Sequence, residues 1–315
     1  MDDGSWQRVS SRPSGMPGPV DRVAMPGRVP YPGSGIIRVN IPMSAMKPSP
    51  PSLSPHTAAR LLDRIEVVLC QTSMAENLGA AARAMKTMGL SRLVLAAPKT
   101  AIDDKARSVA THAIEVLEQA RVVDSVGEAV ADSVAVWAAS ARSRSLALPL
   151  LDGRAAATEI TRQAQSIPAK SAGRISILFG AERTGLTNEE LAVADRLLAL
   201  HANPDYPVLN LAQAVQLVAY EVFHAALSIP EALPSSNDPP ASRAELATLC
   251  ARLESALKTR DFFPGEEEGE RERHARRLMR RVRLVLNRAE PRHDELQILQ
   301  GMLSALIHAP RGWSE

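Results

Sequence analysis

The amino-acid sequence predicts an α/β fold, a mostly parallel sheet with helices on both faces, followed by a small all-helical module. Between residues 65 and 229, short runs of β-branched and other apolar residues alternate with helical patterns. These runs are apolar throughout, as is typical of strands that are buried on both faces. Beyond residue 242 the pattern is helical and no strand pattern occurs, which indicates helices alone.

The first 60 residues contain 11 of the 23 prolines and six of the 17 glycines, without an apolar period. We therefore predict a disordered extension over residues 1–60. The α/β domain is predicted to span residues 61–229. Four prolines over residues 230–242 indicate a linker, and the helical module is predicted at 243–315.

The elements follow in order from their residue types. The β-branched and aliphatic runs predict strands at 65–70, 92–96, 121–123, 134–139, 174–179 and 195–200. Helical patterns between the strands predict helices at 77–88, 104–118, 126–131, 153–166, 188–192 and 209–229. The 209–229 helix is apolar on nearly all sides, so it must be buried within the fold or against another subunit. Helical periodicity predicts three further helices at 243–260, 270–287 and 292–307.

Composition excludes several classes of protein. The net charge is only +2, so affinity for nucleic acid must come from local clusters of charge. Two cysteines and seven histidines without ligand spacing predict neither a disulfide framework nor a metal site. No apolar run in the sequence is long enough to span a membrane. The start, Met-Asp-Asp-Gly, lacks the basic flank and apolar stretch of a signal peptide, so we expect none there. We therefore expect a cytoplasmic protein.

Ligands of open α/β sheets bind beyond the carboxyl ends of the strands. After the first predicted strand, Asn77 is placed as a helix N-cap. Gly79, Arg83 and Lys86 recur at helical spacing on one face of this helix. A glycine one turn before an arginine leaves room beside the guanidinium, which suits a nucleic-acid phosphate. The alternative is a solvated helix face.

Small residues and two arginines follow the fourth predicted strand, in the stretch Ala138-Ala-Ser-Ala-Arg-Ser-Arg144. Small side chains let a ligand approach the backbone closely, and Arg142 and Arg144 are long enough to reach phosphates. The alternative is a flexible basic loop.

The stretch Phe179-Gly-Ala-Glu-Arg-Thr-Gly-Leu-Thr187 follows the fifth predicted strand. Its glycine pair is spaced as in a phosphate-binding loop, but Leu186 stands where the lysine of such a loop is needed to neutralise phosphate charge. A nucleotide triphosphate site is therefore excluded. The stretch remains a turn with Gly180 open to backbone contact and Glu182 facing the site. The alternative is that Glu182 simply pairs with Arg183 or a nearby arginine.

Nine arginines and only two glutamates lie in residues 271–292 of the helical module. We expect a packing stripe of Leu278, Val282, Val285 and Leu286. That stripe leaves Arg276, Arg280 and Arg283 on one outward face. This density favours nucleic-acid binding over a merely solvated face.

Taken together, these loops resemble the SPOUT class of RNA methyltransferases, most closely the TrmJ-type tRNA ribose 2′-O-methyltransferases. The similarity runs in order from residue 65 to about 307. Its matching stretches are Asn77-Leu-Gly-Ala-Ala-Ala-Arg-Ala-Met-Lys-Thr-Met-Gly89, Ser140-Ala-Arg-Ser-Arg144, Phe179-Gly-Ala-Glu-Arg-Thr-Gly-Leu-Thr-Asn-Glu-Glu190, Ala202-Asn-Pro-Asp-Tyr206, Leu209-Asn-Leu-Ala-Gln-Ala-Val-Gln216 and Glu295-Leu-Gln-Ile-Leu-Gln-Gly301.

The resemblance implies a trefoil knot in the last part of the α/β domain, a genuine exception among folds. It also implies S-adenosylmethionine as the cofactor, held largely by backbone groups. The implied cofactor-binding residues are Ala139, Ser140, Ala141, Gly180, Leu200, Pro207, Val208 and Leu209. By the same resemblance the enzyme is a homodimer with the 209–229 helix at its interface, and Arg83 of one subunit faces the cofactor of the other.

The implied chemistry is transfer of a sulfonium methyl group to a ribose 2′-hydroxyl. A guanidinium stays protonated, so we assign Arg83 to holding the substrate phosphate and polarising the hydroxyl, and leave the proton acceptor open. Asn77 is expected to contact the ribose, and Glu182 to position Arg83 or Asn77. Related enzymes commonly have a serine where this chain has Val208, which puts a catalytic hydroxyl at this position in doubt.

The resemblance implies a tRNA methyltransferase that acts on nucleotide 32 of the anticodon loop, with Lys86, Arg142, Arg144, Arg276, Arg280 and Arg283 as RNA-binding residues. Two alternatives stay open: methylation of ribosomal RNA by the same chemistry, and a non-catalytic RNA-binding relative of the fold. The sequence leaves open whether cytidine, uridine or both are methylated.

Overall fold

The computed structural model of the 315-residue chain describes residues 55–140, 148–229 and 238–308. Within these ranges seven parallel strands form one sheet in the order β3-β2-β1-β6-β4-β7-β5. The strands are β1 Ile65–Cys70, β2 Arg92–Ala96, β3 Arg121–Val123, β4 Ser133–Ala139, β5 Leu150–Asp152, β6 Arg174–Phe179 and β7 Arg196–Ala199. The α/β class and the parallel sheet predicted from the sequence are confirmed, while the knot stays a prediction.

Eight α-helices accompany the sheet in the described part of the chain, and three more form the helical module. The first eight are α1 Pro55–Leu62, α2 Ala75–Thr87, α3 Asp104–Ala110, α4 Ile114–Glu118, α5 Val126–Ala129, α6 Gly153–Ser166, α7 Asn188–Leu191 and α8 Leu211–Ser228. A 3-10 turn at Thr111–Ala113 divides the helix predicted for 104–118. The module contains α9 Arg243–Thr259, α10 Glu268–Ala289 and α11 His293–His308.

Two elements were not predicted. Residues 55–60 belong to helix α1, whose Ala58, Leu61 and Leu62 are buried in the core. The prediction of disorder up to residue 60 is therefore wrong for its last six residues, because the proline-rich composition stops before this short amphipathic segment. Strand β5 has only three residues, of which two are exposed, so it has no apolar run to reveal it. The rest of the predicted extension lies outside the described residues.

The sheet has a hydrophobic core on each face, as parallel sheets require. Alternate residues of β1 contribute to the two cores: Val67 and Leu69 pack with the helices of one face, and Val68 and Cys70 with α5, α7 and neighbouring strands on the other. Leu186 is 4% exposed and belongs to the second core. The residue that replaces the lysine of a phosphate loop is therefore a core residue.

Gly79 brings α2 and α3 into close contact. A Cβ atom built on Gly79 would lie 2.2 Å from the carbonyl oxygen of Ala106 and 2.9 Å from the amide of Ala110. The expectation that Gly79 shares an outward face with Arg83 and Lys86 is therefore wrong, because the glycine is buried at a helix crossing. It leaves no room beside a guanidinium.

The helical module has a small core of Ala241, Leu246, Leu249 and Leu296. The packing stripe predicted on α10 is partly wrong, since Val285 is 56% exposed. The buried residues of α10 are Ala275 and Met279. The helix is rotated relative to the prediction because it packs chiefly on α9, which the sequence pattern of α10 alone does not reveal.

A buried ion pair joins the module to the sheet. Arg243 at the start of α9 pairs with Asp195, which directly precedes β7 and also accepts a hydrogen bond from the amide of Val136 at 2.8 Å. Burial raises the pKa of Asp195 to about 6, although the charge of Arg243 acts in the opposite direction. A second contact lies beside it: Arg196 donates to Glu290 at 2.7 Å.

Candidate functional site

A cleft of about 310 Å³ lies at the carboxyl edge of the sheet, where β4, β6 and β7 end. This is the edge at which α/β proteins bind ligands. Seven of the eight predicted cofactor-binding residues line it, namely Ala139, Ser140, Gly180, Leu200, Pro207, Val208 and Leu209. The eighth, Ala141, lies outside the described residues, as do Arg142 and Arg144.

The turn after β6 forms one wall of the cleft and is closed on itself. The amide of Gly185 donates to the carbonyl of Ala181 at 2.8 Å. A Cβ atom on Gly180 would lie 2.1 Å from backbone atoms of both Gly185 and Leu186, so only glycine permits this closure. Gly185 has a φ of 66°, in the left-handed region that glycine adopts without strain. The glycine pair therefore shapes the turn.

Glu182 at this turn reaches across to the start of α2. Its carboxylate accepts hydrogen bonds from the amide and the hydroxyl of Ser73, at 3.2 and 3.0 Å, and from the amide of Met74 at 3.2 Å. It also accepts from the side-chain amide of Asn77 at 2.9 Å. Partial burial alone would raise the pKa of Glu182, but these donors together hold it below its ordinary value.

Asn77 is not the N-cap of α2 that the sequence predicts. The N-cap is Met74, and Asn77 lies in the first turn of the helix with only 5% exposure. Besides donating to Glu182, the side chain of Asn77 accepts a hydrogen bond from the side-chain amide of Asn210 at 3.0 Å. The carboxylate of Glu182 lies beside the start of the helix, where the positive end of the helix dipole favours a negative charge.

Asn210 is a site residue that the sequence reasoning missed. It is the N-cap of α8 and forms a capping box with Gln213. The pattern of Asn followed three residues later by Gln before an apolar helix was the available signal. Glu182, Asn77 and Asn210 thus form one hydrogen-bonded chain that ties the ends of β1, β6 and β7 together.

Arg83 does not belong to this chain. It is exposed, and its guanidinium makes no hydrogen bond or ion pair with any described residue. It stands six positions after Asn77 in the helix, which corresponds to a rotation of about 240° around α2. Glu182 was expected to position Arg83 or Asn77. Within the single chain it contacts Asn77 and does not contact Arg83.

The predicted RNA-binding residues differ in their surroundings. Lys86 is exposed but forms an ion pair with Glu115. Arg276 and Arg280 are exposed on α10. Arg283 is exposed as well, but it also contacts the thiol of Cys250, whose pKa is raised by burial.

Among the residues that the structure describes, no group of three or more histidine, cysteine or acidic side chains is arranged to hold a metal ion. No described helix is long and apolar enough to cross a membrane.

Comparison with known proteins gives matches along most of the described chain. Residues 64–220 match the SpoU rRNA Methylase family, and residues 244–313 match the C-terminal domain of the tRNA methyltransferase TrmJ. The chain is 37% identical over 255 residues to the tRNA (cytidine/uridine-2′-O-)-methyltransferase TrmJ of Salmonella typhimurium. This alignment covers 80% of this chain and 100% of that protein. Its identity to the enzyme of the same name from Escherichia coli is also 37%, over 80% of this chain and 98% of that one. The crystal structure of TrmJ from Z. mobilis aligns with a TM-score of 0.63 at 34% identity, covering 76% of this chain and 98% of that one.

Proposed function

The chain belongs to the TrmJ group of tRNA 2′-O-methyltransferases within the SpoU family, and we propose that it methylates the ribose 2′-hydroxyl of nucleotide 32 in the tRNA anticodon loop with S-adenosylmethionine. The observation that carries the proposal is the cleft at the carboxyl edge with the Glu182–Asn77–Asn210 chain beside it. Single-stranded loops expose the ribose, which suits such an enzyme.

The residues of the cleft fit S-adenosylmethionine. The wall has small side chains at Ala139, Ser140 and Gly180, which admit a ligand close to the backbone. The backbone N–H groups of Val208 and Leu209 make no hydrogen bond with any described residue, so they are available to a heterocyclic base. When bound, the cofactor supplies an electrophilic methyl group on a sulfonium centre, which needs an oriented acceptor more than activation.

The side chains around the cleft have separate roles in the proposal. Glu182 stays ionised and holds Asn77, and Asn77 in turn is held by Asn210. Asn77 is thereby oriented to contact the ribose. Arg83 binds the substrate phosphate and polarises the 2′-hydroxyl, because a guanidinium in isolation is a poor base. The identity of the proton acceptor stays open.

We propose that the active enzyme is a homodimer formed through α8. The exposed residues of this helix include the large apolar side chains of Leu217 and Tyr220, which are 42% and 45% exposed. Arg83 is unpaired among the described residues and stands apart from the Glu182 of its own chain. Association through α8 gives Arg83 a role at the cleft of a second copy.

The helical module, predicted at residues 243–315, is proposed to bind the body of the tRNA. The protein is proposed to act in the cytoplasm. Arg276 and Arg280 are exposed on α10, and the buried pair of Asp195 and Arg243 holds the module against β7. Asp195 directly precedes β7, whereas the cleft lies where β7 ends, so this contact fixes the module at the end of the strand opposite the cleft.

The test is methyl transfer from radiolabelled S-adenosylmethionine to purified tRNA, with ribosomal RNA offered in parallel. Transfer to tRNA that is reduced at least a hundredfold by Arg83→Ala supports the proposal. Transfer to ribosomal RNA alone would support the second acceptor, and cofactor binding without any transfer would support a non-catalytic relative.

A further inference from the structure

We propose that Arg183 binds a phosphate group of the substrate tRNA at the mouth of the cofactor cleft. This inference rests on the proposed tRNA methylation and adds a contact made by the chain that holds the cofactor. Arg183 is exposed, lines the cleft, and makes no hydrogen bond or ion pair with any described residue.

The position of Arg183 is set by a rigid turn. It is the middle residue of the five from Ala181 to Gly185, which are closed by the hydrogen bond between the amide of Gly185 and the carbonyl of Ala181. The packing of Gly180 against the backbone of Leu186 fixes the base of the turn. An arginine at the tip of a fixed turn loses little backbone freedom when it binds an anion.

The charge of Arg183 is not neutralised by its neighbour. The carboxylate of Glu182 is turned toward α2, where it accepts hydrogen bonds from Ser73, Met74 and Asn77. Among the described residues that line the cleft, Glu182 is the only acidic one and Arg183 the only basic one. Within the described part of the chain, Arg183 is therefore the one positive charge of the cleft that is available to an incoming ligand.

Two anions come near such a cleft, the carboxylate of the cofactor's methionine portion and a phosphate of the RNA. An exposed arginine at the lip faces the side from which the large substrate arrives, and a planar guanidinium is well suited to bidentate phosphate contacts. A phosphate adjoins every ribose of the RNA chain, so one lies close to any 2′-hydroxyl that enters the cleft. We therefore assign the phosphate to Arg183.

Lys170 is a matched control near the opposite end of strand β6. It lies in the loop that enters β6, whereas Arg183 follows the end of β6, so the two stand at opposite edges of the sheet. A six-residue strand spans about 17–20 Å. Lys170 is also exposed, and its side chain makes no hydrogen bond or ion pair with any described residue.

The experiment measures tRNA dissociation constants across a series of salt concentrations for the full-length wild type and for Arg183→Ala, Arg183→Lys and Lys170→Ala. Affinity for S-adenosylmethionine and methyl transfer are measured on the same preparations. We expect Arg183→Ala to weaken tRNA binding about tenfold and to lower the log–log salt slope by about 0.7, the value for one phosphate contact of a single strand. Arg183→Lys should restore the slope, Lys170→Ala should match the wild type, and cofactor affinity should not change.

Equal tRNA affinity and salt slope for Arg183→Ala and Lys170→Ala would overturn the inference. A loss of cofactor affinity in Arg183→Ala at unchanged tRNA affinity would also overturn it, because the arginine would then hold the cofactor's carboxylate. If the wild type binds tRNA and cofactor but transfers no methyl group, the proposed function fails, whereas the salt slopes still decide whether Arg183 contacts a phosphate.

Discussion

The side-chain amide of Asn77 donates a hydrogen bond to the carboxylate of Glu182 at 2.9 Å, although 105 residues separate the two in the chain. This contact joins the first turn of α2 to the turn after β6. Together with the bond from Asn210 to Asn77 at 3.0 Å, it gives Asn77 one orientation.

Asn77→Ala should lower the rate of methyl transfer by about 10- to 100-fold, because a reacting group misplaced by about 1 Å loses this much. Affinity for S-adenosylmethionine should change less than about twofold, since Asn77 does not line the cleft. Single-turnover transfer and calorimetric titration measure the two quantities. The control is Asn188→Ala, an exposed asparagine at the start of α7 whose side chain bonds to no described residue. Equal rates for the two variants would show that Asn77 has only a structural role.

Glu182 should make folding stability depend on pH below about 5. Its folded pKa is lowered by its hydrogen bonds despite partial burial, so its contribution is fully present above the unfolded pKa and is lost as the pH falls through the folded pKa. Glu182→Gln should therefore destabilise the protein more at pH 7 than at pH 3.5. Urea unfolding of both proteins at the two pH values measures the difference. If the difference in the free energy of unfolding between the two proteins were independent of pH, the charge of Glu182 would not contribute to stability.

Gly79→Ala should lower the free energy of unfolding by about 1–3 kcal/mol, because the added methyl group overlaps the backbone of α3. Gly301 in α11 is the control, since nothing lies within 4 Å of a Cβ atom there. Gly301→Ala should raise stability by about 0.5–1 kcal/mol through helix propensity. Denaturant titration of both variants provides the comparison, and two effects of the same sign would contradict the described crossing of α2 and α3.

Arg243→Met should cost about 3 kcal/mol of stability near pH 8, because it leaves the buried carboxylate of Asp195 without its partner. Burial already raises the pKa of Asp195 to about 6, and the charge of Arg243 opposes that rise. Without the arginine the pKa should rise further, so Asp195 would be neutral at pH 5 and the cost should be smaller there. Urea unfolding at pH 5 and pH 8 tests this, with the exposed Arg277→Met as control. A loss of stability that is larger at pH 5 than at pH 8 would contradict the described pairing of Arg243 with Asp195.

Replacing Arg276 and Arg280 together by alanine should weaken tRNA binding and lower its salt dependence, since both side chains are exposed on α10. Arg283→Ala should have a smaller effect, because Arg283 lies against Cys250. Binding isotherms at several salt concentrations measure both. If Arg283→Ala weakens binding more than the double variant does, the RNA-binding face of the module has been assigned to the wrong side of α10.

Much of the fold was predictable because the buried strands are uninterrupted apolar runs. The bounds of β1, β2 and β6 agree with the prediction residue for residue. Strand β5 was not predictable from pattern, since its stability comes from pairing with β7. The roles of the loops were expected from a family resemblance. The partners of Asn77 were not, because local propensity places an asparagine at a cap, whereas the observed contacts come from residues 105 and 133 positions away.

The most direct test of the central claim is nucleoside mass spectrometry of tRNA treated with the purified full-length protein and S-adenosylmethionine. Two otherwise identical substrates are compared, one with ribose and one with 2′-deoxyribose at nucleotide 32. The account predicts one 2′-O-methyl group at nucleotide 32 of the first substrate and none on the second. A methyl group on both substrates, or at another nucleotide of the first, would contradict it.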